Sequence, residues 1–543
     1  MVFARRSTTL LAAIIASCAM VLSLTACTSD NKTVVDGQTT VTSNSAGGVA
    51  VFTPSDGITL NQQTPLNKWA KLVPDLAKAL ADAGFKKGDI DHTTSDSLAK
   101  QSRAIQDFVV DHLSNNTTDD SGIAIAPDNM TLLVAPVVEA DASTLQYGDY
   151  ISQNLSTNDA TDGEATSDGE SSEDDSSKDD SSNTESDSTA SDEQAQAVDR
   201  LVSSLKLAKE SGMHVVLLGN SIEGYKPDAF VKFSDAQTIG KLQAEKMVSK
   251  LKLDKASKDN PKYIEVLLPY TAVDEKGNAN DSTFAQEAFR GIWQVLGSYY
   301  QKGVVESPSG TLDGKSTEND WQAVAYDAAK EGSTAKVLDK RLAKTDGQST
   351  LTRIDGIITM NDYIASEVVK ELDDLGYTGS AADINPQITI SGIVGNITGK
   401  KDLSRDAVPD PIKSPENDNA NDSSSSDDDA DEDTSASDKD RDSQWPLVTG
   451  YGAYVSNIPS IVNGKQWMTG MEDRQTIATD IAQACAKLNK DEALNSMPSI
   501  RNSEVGGVKK IPTISEPLLA VSASNLKSAL IDPGYISLAD AGL

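Results

Sequence analysis

Short apolar runs alternate with amphipathic segments along most of this chain, and no other feature of the sequence restricts its fold as strongly. GGVAVFTPS (47–55) reads as a buried strand. KWAKLVPDLAKALADAGF (68–85) places Trp69, Leu72, Val73, Leu76 and Leu80 at helical spacing and stops at Gly84. SLAKQSRAIQDFVVDHL (97–113) predicts a second helix and MTLLVAPVV (130–138) a second strand. A helix over 196–212 and a strand over 213–220 follow. The unit then repeats: helix 235–253, strand 263–270, helix 284–297, short strand 304–309, helix 321–342. QITISGIVG (387–395) and WPLVTGYGA (445–453) are two further strand candidates. Alternation at this spacing predicts an α/β protein of two doubly wound parallel-sheet lobes, each sheet covered on both faces, with a cleft between.

One stretch combines both signals. In RIDGIITMNDYIASEVVKELDDLGY (353–377) an apolar run over 354–360 stops at Asn361-Asp362. Ile364, Val368, Val369, Leu372 and Leu375 then recur with helical spacing. Asn361 or Asp362 caps that helix on one reading. On the other, the pair points into a ligand cleft at the carboxyl end of a parallel strand.

At 543 residues the chain is long enough for two or three domains. Its net charge of −34 is concentrated: the run 156–194 carries −13 and the run 416–442 carries −10, which leaves −11 elsewhere. Both runs lack the apolar residues needed to offset ordering entropy, so both are expected to be disordered surface loops. So acidic a chain is not expected to bind nucleic acid. At the N-terminus, Arg5-Arg6 precedes an apolar stretch and LTAC (24–27), the pattern of a secretion signal with a lipobox. Cys27 then becomes the lipid-bearing first residue. Cutting at Cys18 would leave AMVLSL as an apolar mature end, so Cys27 is preferred. A plain transmembrane helix is the competing reading. Cys485 is left as a small buried apolar residue, with no disulfide framework and no Cys/His metal cluster. His112 and His214 read as partly buried residues and His92 as a loop residue. The sequence contains no P-loop, GxSxG, HExxH or strand-associated GxGxxG motif, so no enzyme mechanism and no cofactor is expected.

The order of segments resembles the type I periplasmic binding proteins of bacterial sugar ABC importers, and within them the multiple-monosaccharide-binding lipoproteins. The resemblance rests on DAFVKFSDAQTIGKLQAEKMVSKLKL (228–253), on the Asn361-Asp362 stretch, on WPLVTGYGAYVSNIPSIVNGKQWMTGMED (445–473) and on GGVKKIPTISEPLLAVSASNLKSALIDPGYI (506–536). It also sets Lys68-Trp69 where the family has Arg-Trp on the cleft rim. The chain departs from the pattern at three turns. Gly219-Asn220 stands for an Asp-Arg pair, GNANDST (277–283) for an Asn-Asn-Ala turn, and Gly450-Tyr451-Gly452 for Gly-Gln-Asp.

The resemblance implies a monomeric, extracytoplasmic binding protein, tethered to the cell membrane through Cys27, that passes a sugar to an ABC permease. Its expected ligand-binding residues are Lys68, Trp69, Asn220, Asn361, Asp362 and Tyr451, with no metal. The expected parts are a signal peptide (1–26), a tether (27–47) and an N-terminal lobe (48–222, completed by 472–510). The C-terminal lobe covers 223–471 and is completed by 511–543, and the chain crosses a hinge three times. A drifted cleft that takes another polar solute or serves a sensory role is the second reading. A carbohydrate-acting envelope enzyme is the third.

Overall fold

The computed structural model describes residues 46–55, 65–115, 129–138, 144–156, 184–273, 280–343, 351–381 and 445–543. All belong to the compact unit Ser45–Leu543. The signal, the lipobox, most of the first acidic run, all of the second and the strand candidate at 387–395 lie outside the described residues.

The first part of the chain forms β1 (Gly48–Pro54), β2 (Ile90–Ser95), β3 (Met130–Val134), β4 (Asn154–Leu155), β5 (His214–Leu218), β6 (Ser221–Ile222) and β7 (Ala229–Lys232). Three helices accompany them: α1 (Trp69–Asp82), α2 (Leu98–Asn115) and α3 (Thr184–Glu210). Next come β8 (Lys262–Val266), β9 (Leu268–Pro269), β10 (Val305–Glu306), β11 (Ala325–Tyr326), β12 (Gly356–Ile358), β13 (Leu447–Tyr451) and β14 (Met468–Met471). Their helices are α4 (Ala236–Leu251), α5 (Thr283–Gln301), α6 (Ser333–Arg341), α7 (Asp362–Leu375) and α8 (Ile458–Val462). The chain closes with α9 (Arg474–Leu488), β15 (Ile500–Val505), β16 (Val508–Ser515) and β17 (Leu519–Ser522).

Two sheets result. The first runs β15-β16-β7-β5-β3-β1-β2 and the second β10-β8-β12-β13-β14-β17. Neighbours pair in parallel except β15 with β16 and β14 with β17. Counted within each lobe, the first five parallel strands follow the doubly wound order 2-1-3-4-5 twice over, and β16 adds a sixth to the first sheet. The expected α/β architecture of two mainly parallel sheets is therefore present. Strands β3 and β5 are buried on both faces, which is why they read as unbroken apolar runs. Helices α1 and α9 cover one face of the first sheet, α2 and α3 the other. On the second sheet α4 and α5 pack on one side, α6 and α7 on the other.

The chain passes between sheets three times: from β7 to α4, from β14 to α9, and from β16 to β17. The first and third passages differ from the expected positions. Strand β7 belongs to the first sheet, so the chain leaves it after Lys232 rather than near Glu223. Strand β16 pairs with β7 up to Ser515, so the last return comes after that residue rather than at 511.

Three local expectations also change. IDHTTS forms the edge strand β2 and carries His92, whose ring nitrogen lies 2.9 Å from Thr53 Oγ1. Its middle residues are exposed and polar, so no apolar run announces it. The helix expected over 321–342 is a short 3-10 turn at Trp321–Ala323, then β11, then α6. There the Asp327 carboxylate accepts from Ala329 N at 3.1 Å, and Gly332 turns left-handed at φ 70°. Both features replace helical backbone bonds. Helix α3 starts at Thr184 and takes in the end of the first acidic run, expected as loop. A helix's amino end is where the backbone dipole favours negative charge.

Candidate functional site

The carboxyl ends of the two sheets meet. Strand β12 ends at Ile358, and the chain turns through Met360 at φ 67°, a left-handed conformation that costs a side-chain-bearing residue energy. Gln243 Nε2 donates to the Met360 carbonyl at 2.9 Å and helps hold the turn. Asn361 follows as the cap of α7, with Oδ1 accepting from Ile364 N at 2.9 Å. Its Nδ2 donates to Gln146 Oε1 of the first lobe at 3.0 Å. The same side chain therefore caps its helix and reaches across the lobes.

Asp362 is fully buried and turns back into its own lobe. Its carboxylate accepts from Gln466 Nε2 at 2.7 Å, Tyr454 N at 2.9 Å and Thr469 Oγ1 at 2.9 Å. Burial nevertheless lifts its pKa to about 6. Asn457 Nδ2 closes the network onto the Asp362 carbonyl and Gln466 Oε1. Gly450 makes room for it: a Cβ there would lie 2.1 Å from Asp362 Oδ1.

Tyr451 is buried at the end of β13, with its hydroxyl 3.4 Å from Glu472 Oε1. Glu472 lies in the second passage between the lobes and Ser234 in the first. Glu472 Oε1 accepts from Ser234 N at 2.7 Å and Ser234 Oγ at 2.5 Å, so one carboxylate ties the two passages together. Burial raises its pKa to about 7, against the pull of those donors. No sequence pattern marks this pair, because its members are 238 residues apart.

In the first lobe, Lys68 Nζ pairs with Asp149 Oδ1 at 2.7 Å, while Asp149 Oδ2 accepts from Trp69 N at 3.0 Å. Trp69, expected on the cleft rim, is only 3% exposed. Its ring meets Tyr150 and Phe233 edge-on, with centroids 5.1 and 5.7 Å away. Asn220 is buried and bonded to the backbone, accepting from Gln153 N and donating to Pro136 O, both at 2.9 Å.

A cavity of about 440 Å³ opens where β9 ends and α5 begins. Tyr270, Trp321, Tyr326, Gln322 and Ser282 line it. The Tyr270 and Trp321 rings stand nearly perpendicular, at 82° with centroids 5.1 Å apart. The sequence does not mark these residues as a group, since its apolar spacing predicts Trp321 at the head of a long helix. The one available signal was Tyr270 at the carboxyl end of an apolar strand. Flat rings beside an amide and a hydroxyl suit a molecule with both apolar faces and hydroxyls.

No protein-family model matches this chain, and no curated protein matches it. Among solved structures it is similar to an ABC transporter solute-binding protein from Clostridium phytofermentans with bound β-D-glucose. The identity is 17%, with 91% of this chain and 99% of that one covered and a TM-score of 0.44. It is also similar to a carbohydrate transporter solute-binding protein from Chloroflexus aurantiacus in complex with D-glucose (18% identity, 92% and 98% covered, TM-score 0.43). A third is an arabinose-binding protein from Geobacillus stearothermophilus (10% identity, 89% and 99% covered, TM-score 0.41).

Proposed function

We propose that the chain is an extracytoplasmic solute-binding protein that takes a sugar between its lobes and hands it to an ABC permease. The observation that carries this reading is the meeting of the two sheets' carboxyl ends, with Asn361 of one lobe opposite Gln146 of the other. In doubly wound sheets that end is where ligands bind. Three passages between the lobes suit a hinge that closes on a solute. Of the residues expected at the site, we assign Asn361 to ligand contact, because its amide is directed across the lobes. Lys68 and Asp149 offer a polar pair on the first lobe, and Tyr270 and Trp321 offer aromatic faces. Asp362, Asn220 and Tyr451 hold the site's walls. The lipid on Cys27 keeps the protein at the outer face of the membrane.

A drifted cleft is the second reading. Asn220 and Asp362 direct their polar atoms to protein partners, which favours it. A thermal-shift panel separates the two. Solute at about 100 times its dissociation constant stabilises the folded state by roughly 2.7 kcal/mol. The sugar reading expects a clear upward shift with a neutral mono- or oligosaccharide, and none with amino acids, nucleotides or metal ions. A shift with an amino acid or peptide and none across a broad sugar panel would overturn it in favour of the drifted cleft.

A further inference from the structure

The segment 144–151 leaves the first lobe, crosses to the second and returns, and its residues are divided between the two. Asp149 and Tyr150 hold it to the first lobe. Asp149 N donates to Asn67 O at 2.8 Å, and Tyr150 OH donates to Lys68 O at 2.5 Å. Gln146 and Tyr147 reach across to the second. Gln146 Oε1 accepts from Asn361 Nδ2 at 3.0 Å and its carbonyl accepts from Tyr454 OH at 2.6 Å. The Tyr147 ring, 1% exposed, lies 4.7 Å from Phe284 and 6.2 Å from Tyr451 between centroids. Ile151 joins the same second-lobe core. Gly148, at φ 93°, lets the strap turn between these anchors, since a Cβ there would lie 2.5 Å from Asn67 O.

An amide bonded to Asn361 and a ring buried against aromatic neighbours are the contacts a polar, flat-faced solute would make there. We propose that Gln146 and Tyr147 form a tethered substitute for solute, which holds the lobes closed when nothing is bound. Being covalently attached, the strap acts at a high effective concentration. A soluble ligand has to displace it, and weakening the strap should open the lobes and raise ligand affinity. What the strap competes with rests on the solute-binding reading above. The closure itself is measurable without any solute.

Spin labels at Ser55→Cys and Ala272→Cys, both exposed at the carboxyl ends of the two sheets, report the opening between lobes. Cys18→Ser and Cys27→Ser leave Cys485 as the one other cysteine of the chain, and it is buried. Without solute, the full chain should give one short, narrow distance distribution. Gln146→Ala and Tyr147→Ala should shift it to longer distances, while Tyr147→Phe, which keeps the ring, should leave it short. A long or broad distribution in the parent chain that narrows only on adding sugar would overturn the strap. So would an unchanged distribution in Gln146→Ala, whose half-buried side chain can be removed without emptying a core. A closed, strap-dependent distribution with no response to any sugar would leave the strap standing and count against the sugar reading alone.

Discussion

Asn361 Nδ2 lies 3.0 Å from Gln146 Oε1, so the cap of a second-lobe helix is also a hydrogen-bond donor to the first lobe. Two substitutions separate these roles. Asn361→Ala loses both and should cost about 1–2 kcal/mol in urea unfolding, the range for a lost cap. Asn361→Ser keeps a capping acceptor for Ile364 N but is too short to reach Gln146 Oε1. It should unfold close to the parent while the lobes separate. Equal stability losses for the two variants would mean that capping is a minor part of what Asn361 does.

Gly450 is required by Asp362 rather than by its own backbone. A Cβ at 450 would lie 2.1 Å from Asp362 Oδ1 and 2.8 Å from Gln466 Nε2, both held inside a buried network. Neither partner is a free side-chain end that can swing away. Gly450→Ala should therefore cost about 3 kcal/mol, at the upper end for overpacking. A loss under about 1 kcal/mol, within the usual range for tolerated swaps, would show that the network rearranges.

Trp69 is a core residue by burial, packed between Tyr150 and Phe233. Trp69→Ala should cost about 3–5 kcal/mol, as expected for an emptied aromatic site. A stable variant that no longer responds to ligand would return Trp69 to the ligand surface.

Glu472 should make the stability of the fold depend on pH. Its folded pKa is raised by burial, with Asp235 nearby adding to the rise, to about 7 from an ordinary value of 4.5. A raised carboxyl contributes stability that is fully present below 4.5 and is lost as pH rises through about 7. Asp362, raised to about 6, acts in the same direction. Melting temperature should fall by several degrees as pH is raised across this window. Glu472→Gln keeps an oxygen for both Ser234 donors and carries no charge to desolvate, so its melting temperature should vary less. An identical pH profile in the variant would place the effect elsewhere.

Cys27→Ser should move the protein from the membrane fraction to the soluble one. A variant that still pellets with membranes would mean that the leader spans the bilayer or that Cys18 carries the lipid.

The sequence by itself determined the elements whose signal is local. Strands β1, β3, β5 and β13 are buried on both faces and read as apolar runs. Helices α1, α2, α4 and α7 show their inner face as a helical repeat, and together these gave the two-lobed α/β class. The edge strand β2 stayed hidden because an exposed strand needs no apolar residues. The stretch 321–342 misled because its apolar spacing suits a helix, while Asp327 and Gly332 supply turn chemistry in its middle. Only the tertiary structure decided how the site is made. Asn361 meets Gln146 from 215 residues away, and Glu472 meets Ser234 across two hinge passages. Tyr147 reaches a core that belongs to the other lobe. Such contacts depend on which strands lie side by side and how two lobes face each other. A hydrogen bond between distant side chains leaves no period, spacing or composition in the chain from which it could be read.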